Sequence, residues 1–378
     1  MHKIYFTTKV ATTETFCNRK DEKNILIGNI RKNKHTVIVA PRRYGKTSLV
    51  CNTLEEGKYP FARIDLFCVV YEEDVCRKVA KGISILIKQI ASFSEKTLKI
   101  VEQCFQSAYV GFKAGQIELK VEFGKLSSDP IEQLEAILEG LEKLAKKHKR
   151  SIVLFLDEFQ DVLKIDQTNK LQAAIRSVAQ HSEYVTYIFS GSSRMMLNKI
   201  FDDKNQPLYM LCDKILLNRI DKKYFKDHIQ NAAKQKWNSF LTNDVISLIL
   251  KLTESHPYYI NFLCDELWEL KKKPLANDIQ LYWNHALQKN KGKIIADLEP
   301  LNTNRTKVLT TIALLGAVSE PNSKIFLEKV KLPLASTQNA IKYLMDHDYL
   351  YMSNREIKLT DPLMYKFIIE HYADNHLF

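Results

Sequence analysis

The sequence predicts an α/β protein with a three-layer core around a parallel sheet, a small helical lid and a C-terminal winged-helix domain. Apolar, β-branched segments alternate with helical patterns between residues 35 and 190, as in parallel sheets covered by helices. Residues 221–289 are helical in pattern, and the tail predicts three helices and then a hairpin. The expected domains are therefore residues 1–215, 216–295 and 296–378.

Composition is that of an ordinary globular protein. The 378 residues are 45% hydrophobic and 26% charged, and the net charge of +12 favours acidic partners, nucleic acid first, unless it only reflects a Lys-rich surface. The seven cysteines form no Cys-x-x-Cys pair, which argues against a disulfide framework or a zinc site and fits a reducing cytoplasm. The sequence shows no signal peptide and no long apolar run, so we expect a cytoplasmic protein without a membrane partner.

The stretch HTVIVAPRRYGKTSLV at residues 35–50 predicts a buried strand, a tight loop and a helix, the context that a phosphate-binding loop requires. Backbone N–H groups and the helix N-terminus would hold the phosphates, and Gly45 would let the chain approach them closely. Lys46 would place its charge at the β and γ phosphates, and Thr47 would bind Mg²⁺. The predicted nucleotide-binding residues of this stretch are Pro41, Arg42, Arg43, Tyr44, Gly45, Lys46, Thr47 and Ser48.

One position departs from the pattern G-x-x-x-x-G-K-[ST], because Ala40 stands where the first glycine is expected. Alanine is the smallest residue with a Cβ, so we expect the loop still to form. The alternative is an ordinary strand–turn–helix.

The segments on either side of this loop add further elements. Residues 12–30 predict a polar start and then a helix. Phe16 and Arg19 stand just before that helix and could cover an adenine; a capped surface helix is the alternative. A second strand at 59–70 is expected to end near Asp65. A long helix at 72–106, a hairpin at 107–128 and an amphipathic helix at 130–150 follow. The hairpin is inferred from alternating Ile117, Leu119, Val121 and Phe123.

The segment SIVLFLDEFQDV at residues 151–162 predicts a central strand with Asp157 and Glu158 at its carboxyl end, where open parallel sheets bind their ligands. Two neighbouring carboxylates repel each other unless a cation is near. Asp157 would hold Mg²⁺ and Glu158 would polarise the attacking water. A buried strand that meets an acidic loop is the alternative.

A helix at 171–180 and a strand at 185–190 complete the predicted core. Ser190 or Ser192 at the strand tip could sense the γ-phosphate, and Arg194 could act in cis or on a neighbouring subunit. A plain strand-to-helix turn explains the same residues.

The C-terminal half offers two further features. In the lid, His256 could reach a phosphate or could simply cap the helix that Pro257 begins. In the tail, helices at 308–315, 324–331 and 336–346 precede a hairpin, which predicts residues 336–342 as a groove-facing helix and Arg355 on the wing. Acidic residues are interspersed there, so binding of duplex DNA and contact with a protein both stay open.

These motifs together resemble a known family. The boxes FCNR, APRRYGKTSL, LFLDEFQD, FSGSS and SHPYY occur in the order found in the prokaryotic AAA+/STAND-type P-loop ATPases often called archaeal-type ATPases, which are similar in layout to the origin-recognition ATPases. The resemblance covers nearly the whole chain. It implies that Phe16 and Arg19 line the nucleotide and that His256 and Pro257 form the lid contact. Ser255 stands where relatives often have glycine, and Met210-Leu211 where they often have an arginine finger.

The function predicted is that of an ATP-binding, Mg²⁺-dependent ATPase whose nucleotide state repositions the lid and the winged helix. Lys46, Asp157 and Glu158 are the expected catalytic residues, with Thr47 and Asp157 as metal ligands. The alternatives are a nucleotide-dependent DNA- or protein-binding switch with negligible hydrolysis, and a transcription regulator acting through its tail. The arginine missing near Leu211 favours slow or partner-dependent turnover, and oligomerisation stays open.

Overall fold

The computed structural model describes residues 4–11, 14–90, 94–105, 109–113, 116–120 and 129–372. The chain divides into two compact units. The sheet unit comprises Arg19–Arg42 and Lys46–Asn218. The helical unit comprises the N-terminal residues up to Asn18, the three loop residues Arg43–Gly45, and the chain from Arg219 onward. The predicted division into three domains stays a prediction.

A parallel sheet forms the centre of the sheet unit. Its strands are β1 (Thr36–Val39), β2 (Phe61–Asp65), β5 (Ile152–Asp157), β6 (Val185–Gly191) and β7 (Asp213–Leu216), in the order β2-β5-β6-β1-β7. The register pairs Asp65 with Asp157 and Val39 with Gly191. The carboxyl ends of β2, β5, β6 and β1 therefore meet along one edge. Every residue of β1, β5 and β6 is buried, as expected for central strands of a parallel sheet.

Helices surround this sheet because their apolar residues recur on one face. They are α1 (Lys20–Arg31), α2 (Lys46–Glu56), α3 (Glu72–Ile90), α4 (Glu95–Cys104), α5 (Pro130–His148), α6 (Lys170–Ala179) and α7 (Arg194–Asp202). A short 3₁₀ helix occupies Phe159–Lys164, and β3 (Tyr109–Lys113) pairs with β4 (Gln116–Lys120) as an antiparallel hairpin. Asp129 caps α5, since its carboxylate accepts the Ile131 N–H. Pro130 suits the first turn because it has no backbone N–H, and an N–H there would find no acceptor within the helix.

The helical unit contains the remaining elements. They are α8 (Lys222–Trp237), α9 (Asn243–Leu252), α10 (Pro257–Leu267), α11 (Ala276–Leu298), α12 (Thr303–Leu315), α13 (Lys324–Val330), α14 (Leu334–Asp346), β8 (Leu350–Ser353), β9 (Glu356–Leu359) and α15 (Pro362–Tyr372). Strands β8 and β9 form an antiparallel wing, which Val318 extends by a bridge to Ile357. Aromatic packing is dense here: Phe6 meets Trp268 edge-on at 4.7 Å, and Trp283 is fully buried.

The structure confirms the parallel α/β core, the helical segment after it and the C-terminal winged helix. The helix expected after Phe16 and Arg19 begins at Lys20, and the strand expected to end near Asp65 occupies Phe61–Asp65. That strand ends because the Asp65 carboxylate accepts the Phe67 N–H and closes a turn. Two separate helices, α3 and α4, occupy the described part of 72–106. Val121 and Phe123 of the predicted hairpin lie outside the described residues.

No helix in the described part of the chain has the length and apolarity needed to cross a membrane.

Candidate functional site

The loop between β1 and α2 has the backbone that its sequence predicts. Gly45 has φ +85° and Arg43 has φ +66°, both in the left-handed region, where glycine is the residue without a Cβ penalty. Ala40 lies outside that region, so its Cβ costs nothing and the missing first glycine does not prevent the loop. At the start of α2 the buried Lys46 donates its ammonium hydrogens to the carbonyl oxygens of Ala40 and Pro41, each at 3.0 Å.

Asp157, at the carboxyl end of β5, is the centre of the site in the sheet unit. It is 1% exposed, so its charge requires partners. The Thr47 hydroxyl donates to Oδ2 at 2.8 Å, and the Ser190 hydroxyl donates to Oδ1. The backbone N–H of Glu158 also donates to Oδ1, at 3.2 Å. Three predicted residues, Thr47, Asp157 and Ser190, are thus in direct contact.

A fourth contact to Asp157 was missed by the sequence analysis. Arg63, on the neighbouring strand β2, donates from Nε and Nη2 to Oδ2 of Asp157 at 2.9 and 2.8 Å. Its side chain is 35% exposed, so the pair is only partly shielded from water. The available signal was a basic residue between the buried Ala62 and Ile64, which strand alternation places on the opposite face.

Glu158 is held in a second network beside Asp157. Its Oε2 accepts hydrogen bonds from the Ser192 hydroxyl at 2.8 Å and from the Gln160 amide at 2.7 Å. The Oε1 of Gln160 in turn accepts the backbone N–H of Ser192 at 3.2 Å. Glu158 itself has φ +53°, a left-handed conformation that non-glycine residues adopt at a cost. The network therefore fixes the direction of this carboxylate relative to Asp157.

Gly191 explains how Gln160 fits into this network. A Cβ at Gly191 would lie 1.9 Å from the Gln160 Oε1, well inside van der Waals contact. Only glycine at the end of β6 leaves room for the amide that orients Glu158. Arg42 adds a contact from the loop, since its Nε donates to the Ser192 hydroxyl at 3.4 Å.

Within the helical unit, the loop residue Tyr44 takes part in a separate cluster. Its ring is 3% exposed and packs edge-on against the His256 ring at 4.8 Å. Its hydroxyl accepts from Arg219 Nε at 3.4 Å. Arg43 lies over the Tyr258 ring with its guanidinium carbon 4.0 Å from the ring centroid. Tyr44, predicted as a nucleotide-binding residue, thus contributes its side chain to this cluster.

Arg219 connects Tyr44 to three other parts of the helical unit. Its Nη1 donates to the Glu254 carbonyl at 2.8 Å and to the Glu254 carboxylate at 2.7 Å. Its Nη2 donates to the Thr360 carbonyl at 2.8 Å, just after the wing. The guanidinium also stacks over the Tyr351 ring, 4.2 Å from its centroid. The sequence offered no spacing that would have identified Arg219.

His256 is the N-cap of α10, where its Nδ1 accepts the Tyr258 N–H at 3.2 Å. Burial, together with the positive charges of Arg219 and Arg43, holds the pKa of this imidazole well below its usual range, so the ring is neutral. His256 thus makes the capping contact, and its contact with a phosphate stays a prediction. Ser255, the residue before His256, has φ +55°, in the left-handed region that favours glycine. This backbone conformation explains why the resemblance leads one to expect a glycine at position 255.

The remaining predicted residues are placed as follows. Phe16 is half-buried in the N-terminal segment of the helical unit. Arg19 begins the sheet unit, is 5% exposed and pairs with Glu22 at 2.8 Å. Pro41 is buried in the loop and Ser48 is half-buried in α2. The assignment of all four to nucleotide binding stays a prediction.

Comparisons with known proteins agree with this geometry. The model of a family described as an ATPase domain predominantly from Archaea matches residues 16–263, and a probable winged helix domain matches residues 296–370. No curated protein matches the sequence.

Solved structures show the same fold at low sequence identity. A Walker-type ATPase of Pyrococcus abyssi is 17% identical with a TM-score of 0.70, over 97% of this chain and 99% of that one. The ORC2 protein of Aeropyrum pernix, solved as ADPNP–ADP complexes, is 13% identical with a TM-score of 0.56, over 94% and 93% of the two chains. The family model covers the loop, the strand β5 that leads to Glu158, and the helices α8 and α9. The chain therefore belongs to the family of ATPase domains found predominantly in Archaea.

Proposed function

We propose that this protein binds ATP with Mg²⁺ and hydrolyses it to ADP and phosphate, and that the nucleotide state alters the contacts of its lid and winged helix. The observation that carries the proposal is the hydrogen bond of Thr47 to Asp157 at 2.8 Å, where Lys46 directly precedes Thr47 in the chain and the oriented Glu158 directly follows Asp157. These four side chains supply a phosphate cation, two metal ligands and a base for water.

The donor set fits Mg²⁺. This cation prefers hard oxygen ligands and is usually held by one or two protein oxygens together with substrate phosphates and water. The Thr47 hydroxyl and the Asp157 carboxylate are such ligands, and they already touch each other at the carboxyl edge of the sheet. When bound, the ion would neutralise charge on the phosphate oxygens.

The residues of this site would take part in hydrolysis as follows. A water oxygen forms a bond to the γ-phosphorus while the bond to the bridging oxygen breaks, and the electron pair leaves with ADP. Glu158 would orient this water and receive its proton. Lys46 would leave the carbonyls of Ala40 and Pro41 to stabilise charge on the β and γ oxygens.

The choice of an adenine nucleotide rests on likeness. The Aeropyrum ORC2 protein is described with ADPNP and ADP, and this chain has the same fold. Phe16 and Arg19 are the residues we propose at the base and ribose end. Arg42, Ser48 and Pro257 complete the proposed nucleotide contacts.

Arg219 supports the switch. It bonds the phosphate-loop residue Tyr44, the lid residue Glu254 and the Thr360 carbonyl beside the wing. A loop movement on nucleotide binding would change the position of Tyr44, and with it the three-way contact of Arg219. The helical unit thereby has a continuous set of polar contacts through which the loop reaches the winged helix.

The winged helix is the proposed docking site for a macromolecule, with duplex DNA as the first candidate. The exposed face of α14 carries Gln338, Asn339 and Lys342, side-chain types that contact base edges and phosphates in the major groove. Arg355 lies exposed at the tip of the wing between β8 and β9. A protein partner is the other outcome.

The test measures ATP binding and phosphate release for the wild type, Lys46→Ala and Glu158→Gln, with and without duplex DNA. Glu132→Gln, in the first turn of α5, is the matched control for the glutamate change. We expect Glu158→Gln to bind ATP and to lose hydrolysis by about 10²–10³-fold, and Lys46→Ala to lose binding.

Each result decides something specific. Hydrolysis retained in Glu158→Gln would refute the assigned base. Tight ATP binding with no turnover in the wild type, with or without DNA, would replace the enzyme by a nucleotide-dependent switch. Loss of DNA binding in Lys342→Ala, with ATP binding unchanged, would assign the winged helix to DNA.

A further inference from the structure

The helical unit contains a cavity of about 890 Å³ to which the proposed ATPase function assigns no ligand. Its walls come from the turn before α8, from α9 and the turn after it, from the wing, and from α15. Small-molecule sites in proteins have volumes of roughly 300–1,000 Å³, so the cavity is large enough for a drug-sized ligand.

Much of the wall is apolar or aromatic. Leu250 of α9, Trp283 of α11 and Ile369 of α15 supply apolar surface. Tyr351 and Tyr365 each present a half-buried ring. A planar apolar group would bury surface against these side chains, and ring-on-ring contacts would add to the attraction.

The charged groups of the wall leave a positive surplus. Five basic and three acidic residues line the cavity. Three of the basic ones are paired: Arg219 with Glu254 at 2.7 Å, Lys358 with Glu356 at 2.8 Å, and Lys366 with Glu370 at 2.6 Å. Lys222 and Lys251 are exposed at the rim and form no ion pair with another described residue. The third acidic wall residue, Asp221, also forms no ion pair with a described residue, so an anion at this rim would meet two ammonium groups and one carboxylate, a surplus of one positive charge.

A buried hydroxyl gives independent evidence for a ligand. Ser255 lines the cavity, is 4% exposed, and its Oγ has no hydrogen-bond partner among the described residues. Buried polar atoms are nearly always hydrogen-bonded, so an orphan at a cavity wall indicates a missing partner. A ligand oxygen or nitrogen in the cavity could supply it.

We propose that this cavity binds a small aromatic anion. The aromatic body lies against Tyr351, Tyr365 and Ile369, the negative group is held by Lys222 and Lys251, and a polar atom of the ligand pairs with Ser255. This site is independent of ATP hydrolysis and would exist even if the chain had no ATPase activity.

The test uses a pair of probes that differ in charge: anilinonaphthalene sulfonate, which is an aromatic anion, and N-phenylnaphthylamine, its uncharged parent. Their fluorescence is titrated with the full-length protein in the presence of saturating ATP and Mg²⁺, so that a phosphate site cannot take up the sulfonate. We expect saturable binding of the anion, tighter than that of the neutral probe.

Three variants locate the binding. Lys222→Ala combined with Lys251→Ala should weaken the anion about tenfold, since each exposed charge contributes about threefold, and should leave the neutral probe unchanged. Lys272→Ala, an exposed lysine of the same unit outside the cavity, is the matched control. Ser247→Trp adds bulk from an exposed position of α9 that lines the cavity, and should abolish binding of both probes.

The proposal is overturned if the two probes bind equally well to the wild type. It is equally overturned if the double lysine variant and the Lys272 control bind the anion alike. Unchanged binding in a folded Ser247→Trp variant would place the probe elsewhere. The lysine comparison decides the matter even if the tryptophan variant fails to fold.

Discussion

Replacing Arg63 should make the Asp157 carboxylate more available to Mg²⁺. Arg63 makes two hydrogen bonds to Oδ2, and Thr47 donates to the same oxygen. A cation that binds this carboxylate must compete with the guanidinium. We therefore expect Arg63→Met, which keeps the aliphatic stem and removes the charge, to bind Mg²⁺ more tightly than the wild type.

The magnitude follows from the exposure of the pair. A buried charge-assisted pair is worth several kcal/mol and an exposed one about 0–1 kcal/mol. Asp157 is 1% exposed and Arg63 is 35% exposed, so a value near 1.4 kcal/mol is reasonable. This free energy corresponds to about a tenfold change in Mg²⁺ affinity. In a metal-free buffer the same variant should be less stable than the wild type, because Asp157 loses its only ion-pair partner among the described residues.

The assay follows thermal unfolding in a Mg²⁺ titration without nucleotide, for the wild type and for Arg63→Met. Arg77→Met is the matched control, since Arg77 pairs with Asp74 in a partly exposed ion pair within α3, away from Asp157 in the chain. The reasoning is refuted if Arg63→Met has the Mg²⁺ midpoint of the wild type. It is also refuted if the control shows the same shift, which would indicate a general effect of net charge.

Three further predictions concern other parts of the two units. Gly191→Ala should lower ATP hydrolysis and leave ATP binding unchanged, because the new Cβ displaces the Gln160 amide that orients Glu158. Phosphate release and an ATP-binding titration measure the two effects, and unchanged hydrolysis would contradict the role given to Gln160. Arg219→Met should destabilise the helical unit by about 2–4 kcal/mol in denaturant unfolding, because a largely buried guanidinium with four acceptors is lost; a loss like that of a surface arginine would contradict this. The pKa of the buried His256 lies well below 6.5, so below pH 6.5 the imidazole takes up a proton in the unfolded chain and not in the folded one. The free energy of unfolding therefore falls as the pH drops, and the contribution of His256 to this fall is about 1.4 kcal/mol at one pH unit below 6.5. His256→Asn keeps a capping side chain and should reduce this pH dependence in thermal unfolding between neutral and mildly acidic pH.

The parts of the site that the sequence predicted are those encoded locally. A strand, a loop and GKT occur within one short stretch, and the acidic pair directly follows an apolar run, so spacing alone brings the relevant side chains to one sheet edge. Ser190 was found for the same reason, since it lies at the end of the neighbouring strand β6.

The residues that were missed act over long separations in the chain. Arg63 meets Asp157 across 94 residues, and Arg219 meets Thr360 across 141. No periodicity connects such positions, and a single arginine on a strand or in a turn is usually a solvated surface residue. The edge strand β7 was missed because only one of its four residues is buried, so it lacks the alternation that identifies a strand.

The two proposals share a physical element, and this gives a strict test of how they relate. Arg219, Glu254 and Tyr351 line the cavity, and Arg219 also bonds the phosphate-loop residue Tyr44. If nucleotide binding moves Tyr44, it also changes the wall of the cavity. Coupling free energies are reciprocal, so ATP then changes the affinity for the cavity ligand by the same factor as the cavity ligand changes the affinity for ATP.

The measurement is a pair of titrations on the wild type: anilinonaphthalene sulfonate with and without ATP and Mg²⁺, and ATP with and without the sulfonate. If the two affinity ratios are equal and differ from 1 in the wild type, and both become 1 in Tyr44→Phe, the coupling is assigned to the hydrogen bond between Arg219 and the Tyr44 hydroxyl. Unequal factors would mean that the sulfonate also binds elsewhere. Two factors of unity would show that the loop and the cavity are independent, and would remove Arg219 from the proposed switch while leaving both binding sites in place.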